Sequence, residues 1–101
     1  MNNVNSVIVE GEMGNVPNED GKCYVISTRT FKNDLGEMET TRSHFFVVIK
    51  GRLAEMYVNK FTRGREVRIV GRLQNDNRGR AEIFAEHIEF KPIFNKSAEN
   101  N

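Results

Sequence analysis

The sequence has no tryptophan, one cysteine, two prolines and no long run of apolar residues among its 101 residues. The lone cysteine, Cys23, excludes an internal disulfide and a zinc site built from several cysteines. Without the roughly 20 consecutive apolar residues that a membrane-spanning helix needs, no membrane partner is expected. The first residues lack the basic and apolar blocks of a secretion signal. The sequence therefore predicts one small cytoplasmic domain stabilised by packing, and its size favours self-association.

Residues that form common catalytic and metal sites are also scarce. The two histidines, His44 and His87, lie in different predicted strands without a cysteine or an acidic partner at motif spacing. No glycine-rich phosphate loop is present. Acidic pairs such as Glu10 and Glu12 have a spacing that is too common to indicate a metal site. We therefore predict that the protein is not an enzyme, with no catalytic residue, no cofactor and no bound metal.

Charge is distributed unevenly, although the net charge is only +1. Residues 1–41 carry three Lys or Arg against seven Asp or Glu, residues 42–80 carry ten against three, and residues 81–101 carry two against four. The basic residues of the middle segment are interleaved with apolar residues and do not form one run. Such a segment is either a solvated face or a groove for a polyanion.

Alternating apolar residues predict three strands in the first half of the chain. The first spans residues 4–13, the second residues 23–31 and the third residues 42–50. Turn-forming residues fill positions 15–22, and residues 32–37 form an exposed loop. In the third strand, alternation places on one face Phe45, Val47 and Ile49, and on the other His44, Phe46, Val48 and Lys50.

The second half of the chain predicts one helix and two more strands. Apolar residues recur at helical spacing between residues 51 and 64, which indicates an amphipathic helix of about two to three turns. A fourth strand follows, in which apolar residues alternate with arginines. Residues 75–79, Asn-Asp-Asn-Arg-Gly, predict a hairpin turn before a fifth strand at residues 81–90. Residues 94–101 are expected to form a short polar tail.

This order of elements predicts an all-β fold. Three strands, a helix and two strands suit an OB-fold, a five-stranded Greek-key barrel with one short helix between strands three and four. SH3-like and other small barrels also have five strands, so the order alone leaves them open. The barrel would occupy residues 1–93 as one domain.

Two segments carry a resemblance to a known family. Residues 45–55 read FFVVIKGRLAE, and residues 61–74 read FTRGREVRIVGRLQ. Together with NNVNSVIVEG at residues 2–11 and EHIEF at residues 86–90, they resemble the bacterial single-stranded DNA-binding protein family. No single motif is decisive, but the matches occur in the right order over residues 2–92.

The resemblance implies an OB barrel that wraps single-stranded DNA across aromatic and basic side chains. The family usually assembles as a homotetramer, with a dimer as the alternative here. Stacking on rings accepts any base, and contacts between cations and phosphates are sequence-independent. The expected function is therefore sequence-independent binding of single-stranded DNA in replication, recombination or repair.

The resemblance also assigns candidate DNA-binding residues. Phe31 stands where the family commonly has a stacking tryptophan, His44 at a second such tryptophan and Lys50 at a stacking phenylalanine. Phe46 stands where arginine is common, and its ring offers either stacking or a subunit contact. Phosphate contacts are expected first from Arg52 and Arg63. Weaker candidates of the same kind are Arg29, Lys32, Arg42, Arg72, Arg78 and Arg80.

Three departures from the family pattern leave alternatives open. Glu12 replaces a neutral or basic residue, the hairpin at residues 75–79 is short, and the family's acidic tail does not follow residue 96. Recruitment of replication proteins through a tail is therefore not expected. One alternative is an accessory factor similar to primosomal replication protein B. The other is an OB module used only for assembly with proteins, its rings buried at subunit contacts.

Overall fold

The computed structural model describes residues 2–93, which form five strands and one short helix. The elements are β1 (Val7–Met13), β2 (Lys22–Lys32), β3 (Met38–Val48), α1 (Gly51–Met56), β4 (Glu66–Asn75) and β5 (Ala81–Phe90). The polar tail expected at residues 94–101 lies outside the described residues. Within residues 2–93, no helix has the length and apolar character that crossing a membrane requires.

The strands close into a barrel in the order β1, β2, β3, β5, β4, and β4 pairs with β1. Neighbouring strands are antiparallel except β3 and β5, which run parallel. The five-stranded barrel and the position of its helix between the third and fourth strands confirm the predicted architecture.

The core lies inside the barrel and consists mainly of alternate residues from all five strands, together with Ile49 directly after β3. Burial of branched aliphatic side chains is the main stabilising term, at about 25 cal/mol for each Å² of apolar surface removed from water. The buried core residues are Val9, Met13, Cys23, Val25, Val47, Ile49, Val67, Ile69, Ile83, Ala85 and Ile88.

The helix α1 is shorter than the sequence predicts. It contains six residues, less than two turns, and ends at Met56. A turn follows in which Lys60 N–H donates to the Tyr57 carbonyl at 2.8 Å, because the intervening residues have low helix propensity. The rings of Tyr57 and Phe61 both lie against Phe90, with centroids 5.2 and 5.8 Å away. The helical spacing of these rings therefore serves packing on β5 and does not extend the helix.

The strands β2 and β3 form a long hairpin that projects from the barrel. They pair in eleven positions, from Lys22 with Val48 to Lys32 with Met38. The strand β1 pairs with β2 at only two positions, Glu12 with Ile26 and Met13 with Val25. About half of the hairpin therefore extends beyond the closed part of the barrel.

The hairpin extends the third strand beyond its predicted start. This strand begins at Met38 instead of Arg42, and the second strand continues to residue 32. Across the extension, the hydroxyls of Thr30 and Thr40 are hydrogen-bonded at 3.1 Å. At the tip, Asn33 Oδ1 accepts two backbone N–H groups of the loop at 2.9 Å. These cross-strand and turn contacts stabilise a polar segment that has no apolar alternation.

The first strand begins at Val7, and not at Val4 as the sequence predicts. Val4 is exposed. Ahead of the strand, Asn5 contacts Leu73 through its side chain, which donates from Nδ2 to the carbonyl at 2.8 Å and accepts the N–H at 2.9 Å. An amide side chain thus takes the place of backbone pairing at this end of β1.

Candidate nucleic-acid interface

Four strands of the barrel place two rows of side chains next to each other on its outside. In the first row, Lys22 of β2 is paired with Val48 of β3, Val48 with Phe84 of β5, and Phe84 with Arg72 of β4. The row lies on the outer side of the sheet, because neighbouring residues such as Val47 belong to the core, but Val48 itself is only 2% exposed. The guanidinium of Arg72 lies over the Phe84 ring, 4.5 Å from its centroid.

The second row lies beside the first. Tyr24 of β2 is paired with Phe46 of β3, and Glu82 of β5 with Gln74 of β4. Phe46 and Glu82 lie side by side, because each precedes by one residue the first parallel pair of β3 and β5, Val47 with Ile83. The two pairs therefore form one row. With His44, from the next outward position of β3, the two rows make up what we call the outer face: Lys22, Tyr24, His44, Phe46, Val48, Arg72, Gln74, Glu82 and Phe84.

Three rings of the outer face are close together. The centroids of Tyr24 and His44 are 5.5 Å apart, and Phe46 is 58% exposed. The Tyr24 backbone donates its N–H to Asn15 Oδ1 and accepts the Gly14 N–H, both at 2.9 Å. The loop between β1 and β2 therefore fixes the strand position that carries Tyr24. His44 is also exposed and Tyr24 is half-buried, so the three rings offer a surface on which flat bases can stack.

Cations gather at one edge of the outer face, in the turn between β4 and β5. Asp76 Oδ1 accepts the backbone N–H groups of Arg78 at 2.8 Å and Arg80 at 2.9 Å. The hydrogen bond from Arg80 is the main reason that the pKa of Asp76 lies below its ordinary value, and the charge of Lys22 contributes. These residues line a cleft of about 290 Å³. An adjoining cleft reaches Phe46, so the cations lie next to the exposed ring.

The structure brings some of the predicted site residues together. His44, Phe46 and Arg72 belong to the outer face, and Arg78 and Arg80 lie at its edge. Arg72 also forms an ion pair at 3.1 Å with Glu86, so its charge is partly compensated. These residues come from three separate segments that only the barrel places side by side.

Phe31 does not join this group. It alternates with the buried Cys23 and Val25 along β2, so it lies on the other face of the hairpin from Tyr24. The guanidinium of Arg29 covers its ring at 4.6 Å from the centroid. Lys32 ends β2 at the tip of the same hairpin. Phe31 and His44 are therefore on opposite faces of one projecting ribbon.

Lys50, Arg52 and Arg63 lie elsewhere on the barrel. Lys50 is exposed, with extended backbone, directly before α1, and β3 ends at Val48, two residues before the predicted end of the strand. Arg52 is exposed in the helix. Arg63 is exposed in the turn whose Gly64 N–H donates to a β1 carbonyl at 2.7 Å. These cations do not border the exposed rings.

Other cations lie in ion pairs on the barrel surface. Arg42 contacts Glu12 at 3.4 Å, so the acidic residue of the first strand partly neutralises a predicted phosphate ligand. Arg68 lies 3.3 Å from both Glu10 and Glu89. A hydrogen bond from Lys91 is the main reason that the pKa of Glu10 lies below its ordinary value. Pairs this exposed contribute little stability.

Among the six residues of the outer face that were not predicted as site residues are Lys22, Tyr24, Glu82 and Phe84. Two of them had a local signal, because Lys22 and Tyr24 alternate with Cys23 and Val25 and must point away from the core. Glu82 and Phe84 had none, since their position depends on parallel pairing with β3. In the part of the chain that the structure describes, no three His, Cys, Asp or Glu side chains are placed to hold a metal ion.

Comparison with known proteins gives structural neighbours and no relative by sequence. No protein-family model and no curated protein matches the chain. A solved complex of the Plasmodium falciparum single-stranded DNA-binding protein with single-stranded DNA superimposes with a TM-score of 0.72 at 16% identity, covering 91% of this chain and 98% of that one. The barrel is an OB-fold. The predicted OB-fold is thereby confirmed.

Two further solved structures share this OB-fold. The small single-stranded DNA-binding protein of Streptomyces coelicolor has a TM-score of 0.67 at 19% identity, covering 90% of this chain and 96% of its own. The single-stranded DNA-binding protein of Thermus aquaticus has a TM-score of 0.70 at 20% identity, covering 88% of this chain. This chain spans about half the length of the Thermus protein, with 50% of it covered.

The outer face occupies the usual ligand position of OB-folds. In this fold, oligonucleotides bind on the face of strands two and three, between the β1–β2 and β4–β5 loops. Here Tyr24, His44 and Phe46 come from those two strands, and Arg78 and Arg80 from the second loop. The outer face therefore corresponds in position to the surface on which OB-folds bind oligonucleotides and oligosaccharides.

Proposed function

We propose that this protein binds single-stranded DNA across the outer face, by stacking bases on its rings and by holding phosphates with cations. The observation that carries the proposal is the exposed ring of Phe46, which adjoins both the Tyr24–His44 pair and the clefts lined by Lys22 and Arg80. Stacking contributes about 1–3 kcal/mol per base and accepts every base. Backbone contacts add a salt-sensitive term that is blind to sequence.

The structural neighbours support the same function. All three that are described above are single-stranded DNA-binding proteins, and one was solved with the strand bound. A barrel that only holds bound strands needs no catalytic residue and no cofactor. Single strands arise in replication, recombination and repair, and we propose that the protein acts there. The single buried thiol of Cys23 suits a reducing, cytoplasmic compartment.

The predicted site residues divide into three parts of this proposed interface, within a binding domain of residues 1–93. His44 and Phe46 stack bases at the centre, with phosphate contacts from Arg72, Arg78 and Arg80. Phe31, with Arg29 and Lys32, extends the path along the far face of the hairpin. Lys50, Arg52, Arg63 and Arg42 attract the strand where it leaves the outer face.

We also propose that the protein self-associates, as a tetramer or a dimer. An apolar groove of about 570 Å³ opens where the hairpin diverges from β1, and Ile8, Phe45 and Leu73 are exposed along it. The first five residues of β1, Val7 to Gly11, pair with β4 on one side and have no partner in β2 on the other. A second copy would cover this apolar surface and complete the strand edge.

The experiment that tests the proposed function is a fluorescence-anisotropy titration of labelled oligo-dT across a salt series. Unlabelled single strands, matched duplex DNA and RNA serve as competitors. We expect tight binding that weakens with salt and that single-stranded DNA competes better than duplex. No binding at low salt would instead favour the OB module that only assembles with proteins, for which the apolar groove provides a surface.

A further inference from the structure

Glu82 is the one charged side chain that is buried among residues 2–93, with 9% of its surface exposed. It belongs to the outer face and follows Ala81 at the start of β5. It lines the cleft that contains Phe46, Lys22 and Arg80, and it also borders the apolar groove between the hairpin and β1. A buried carboxylate at the centre of a surface for a polyanion is unfavourable unless it meets hydrogen-bond donors.

The hydrogen bonds of Glu82 leave one oxygen available. Gln74 Nε2 donates to Oε2 at 2.8 Å. No side chain among residues 2–93 donates to Oε1, although Glu82 lines the cavities beside Phe46. An ionised carboxylate is an acceptor only, with room for about four hydrogen bonds. Oε1 is not one of the buried polar atoms that lack a partner, so it is accessible to solvent, and a ligand in this cavity can donate to it.

A base, and not a phosphate, suits this position. The carboxylate repels phosphate oxygens, whereas the nearby cations Lys22, Arg78 and Arg80 attract them. A base stacked on Phe46 would turn its edge toward Glu82, since the two residues are level on neighbouring strands. Single-stranded bases are commonly recognised in this way, by a ring against the base and a polar group at its Watson–Crick edge.

We infer that Glu82 gives the strand a base preference at the Phe46 position, favouring a base with an amino group there. The inference rests on the proposed binding of single-stranded DNA. Cytosine presents its N4 amino group to a carboxylate, while thymine presents the acceptor O4 in the same place. The expected result is a graded preference for cytosine over thymine at one position, within binding that otherwise tolerates every base.

The experiment compares oligo-dC and oligo-dT of equal length with the wild-type protein and with Glu82→Gln, at mildly alkaline pH so that cytosine stays unprotonated. An amide both donates and accepts, so the variant should discriminate less. We expect the ratio of the two dissociation constants to change by about tenfold, the value of one hydrogen bond to a charged group. If Glu82 only stabilises the fold beside Gln74, Glu82→Gln should weaken the binding of both oligonucleotides equally and leave the ratio unchanged.

The matched control is Glu89→Gln, which removes the same charge from β5 at the opposite end of the strand. Its dC to dT ratio should equal that of the wild type. A second measurement needs no variant: an oligonucleotide in which pyrimidin-2-one replaces cytosine lacks the amino group, and it should bind the wild-type protein more weakly than oligo-dC.

The outcomes separate this inference from the proposed function. An equal ratio in the wild type and Glu82→Gln, or equal binding of the pyrimidin-2-one and cytosine strands, overturns the inference and leaves single-strand binding intact. Binding of neither homopolymer by the wild type overturns both. If Glu82→Gln does not fold, as judged by circular dichroism, the pyrimidin-2-one comparison decides.

Discussion

The ring of Tyr24 rests directly on the backbone of Gly14, and a Cβ built on Gly14 would overlap Cε2 of that ring. The absence of a side chain at the start of the β1–β2 loop thus leaves room for the Tyr24 ring, which is tilted by 41° against the ring of His44. One glycine therefore links the loop to the arrangement of rings on the outer face.

Gly14→Ala should destabilise the protein and weaken single-strand binding. The added methyl group must displace Tyr24 or the loop, and overpacking of this kind costs about 1–3 kcal/mol. Urea denaturation gives the free energy of unfolding. In the Tyr24→Ala background the same substitution should cost much less, because the clashing ring is gone. Equal costs in both backgrounds would show that the contact does not constrain residue 14.

Cys23 should react slowly with thiol reagents in the native protein. Burial raises the pKa of its thiol to about 11, and the residue is only 3% exposed. At neutral pH almost no thiolate, the reactive form, is present. Absorbance of the chromophore released from an aromatic disulfide reagent measures the rate, and the protein in concentrated urea is the control. Equal rates in both conditions contradict the buried position.

The turn between β4 and β5 should loosen only in strong acid. Asp76 has a pKa below its ordinary value, chiefly because of the hydrogen bond from Arg80. The Asp76 carboxylate therefore contributes fully to stability at a pH above its ordinary pKa. This contribution is lost as the pH falls through the lowered pKa of the folded state. The amide resonances of Arg78 and Arg80, followed by NMR, should shift with a midpoint below about 3.9, the unperturbed value.

The control for this titration is Asp76→Asn. Its side-chain carbonyl can still accept the turn N–H groups, but it does not titrate. The two amides should then keep constant shifts over the same pH range. A midpoint at or above the unperturbed value in the wild type would mean that the turn does not favour the carboxylate.

The order of elements was predictable because its signals are local. Alternating apolar residues mark each strand, and Asn-Asp-Asn-Arg-Gly marks the last turn. The first four residues of β3, residues 38–41, were missed because they are all exposed and no alternation remains. Only cross-strand contacts, such as that between Thr30 and Thr40, show that they are paired.

The candidate site was predictable only in part, for a related reason. His44 and Phe46 are two residues apart in one strand, so their shared face follows from alternation. Phe84 and Glu82 join them through the parallel ladder between β3 and β5, which no local pattern indicates. Phe31 occupies a family position in the sequence, yet strand alternation places it on the other face of the hairpin.

Phe46→Ala should weaken binding of every homopolymer. Removing one stacking ring costs about 1–3 kcal/mol per base. Phe46 is exposed, so the substitution should change the stability of the fold little. Anisotropy titration with short oligo-dT measures the loss. Unchanged affinity in Phe46→Ala would remove the Phe46 ring from the interface.

Phe31→Ala should affect long oligonucleotides more than short ones, because a strand must pass to the other face of the hairpin to reach that ring.

Arg80→Ala should reduce the salt dependence of binding. Arg80 holds the β4–β5 turn through its backbone, so the variant keeps the hydrogen bonds to Asp76 and loses only the exposed charge. Each phosphate contact contributes about 0.7 to the slope of log affinity against log salt for single strands. We expect a decrease of that size, measured by titrations at several salt concentrations. Arg68→Ala is the matched control, because Arg68 is already paired with Glu10 and Glu89 and should leave the slope unchanged. Equal slopes for Arg80→Ala and the wild type would place the phosphate path away from this turn.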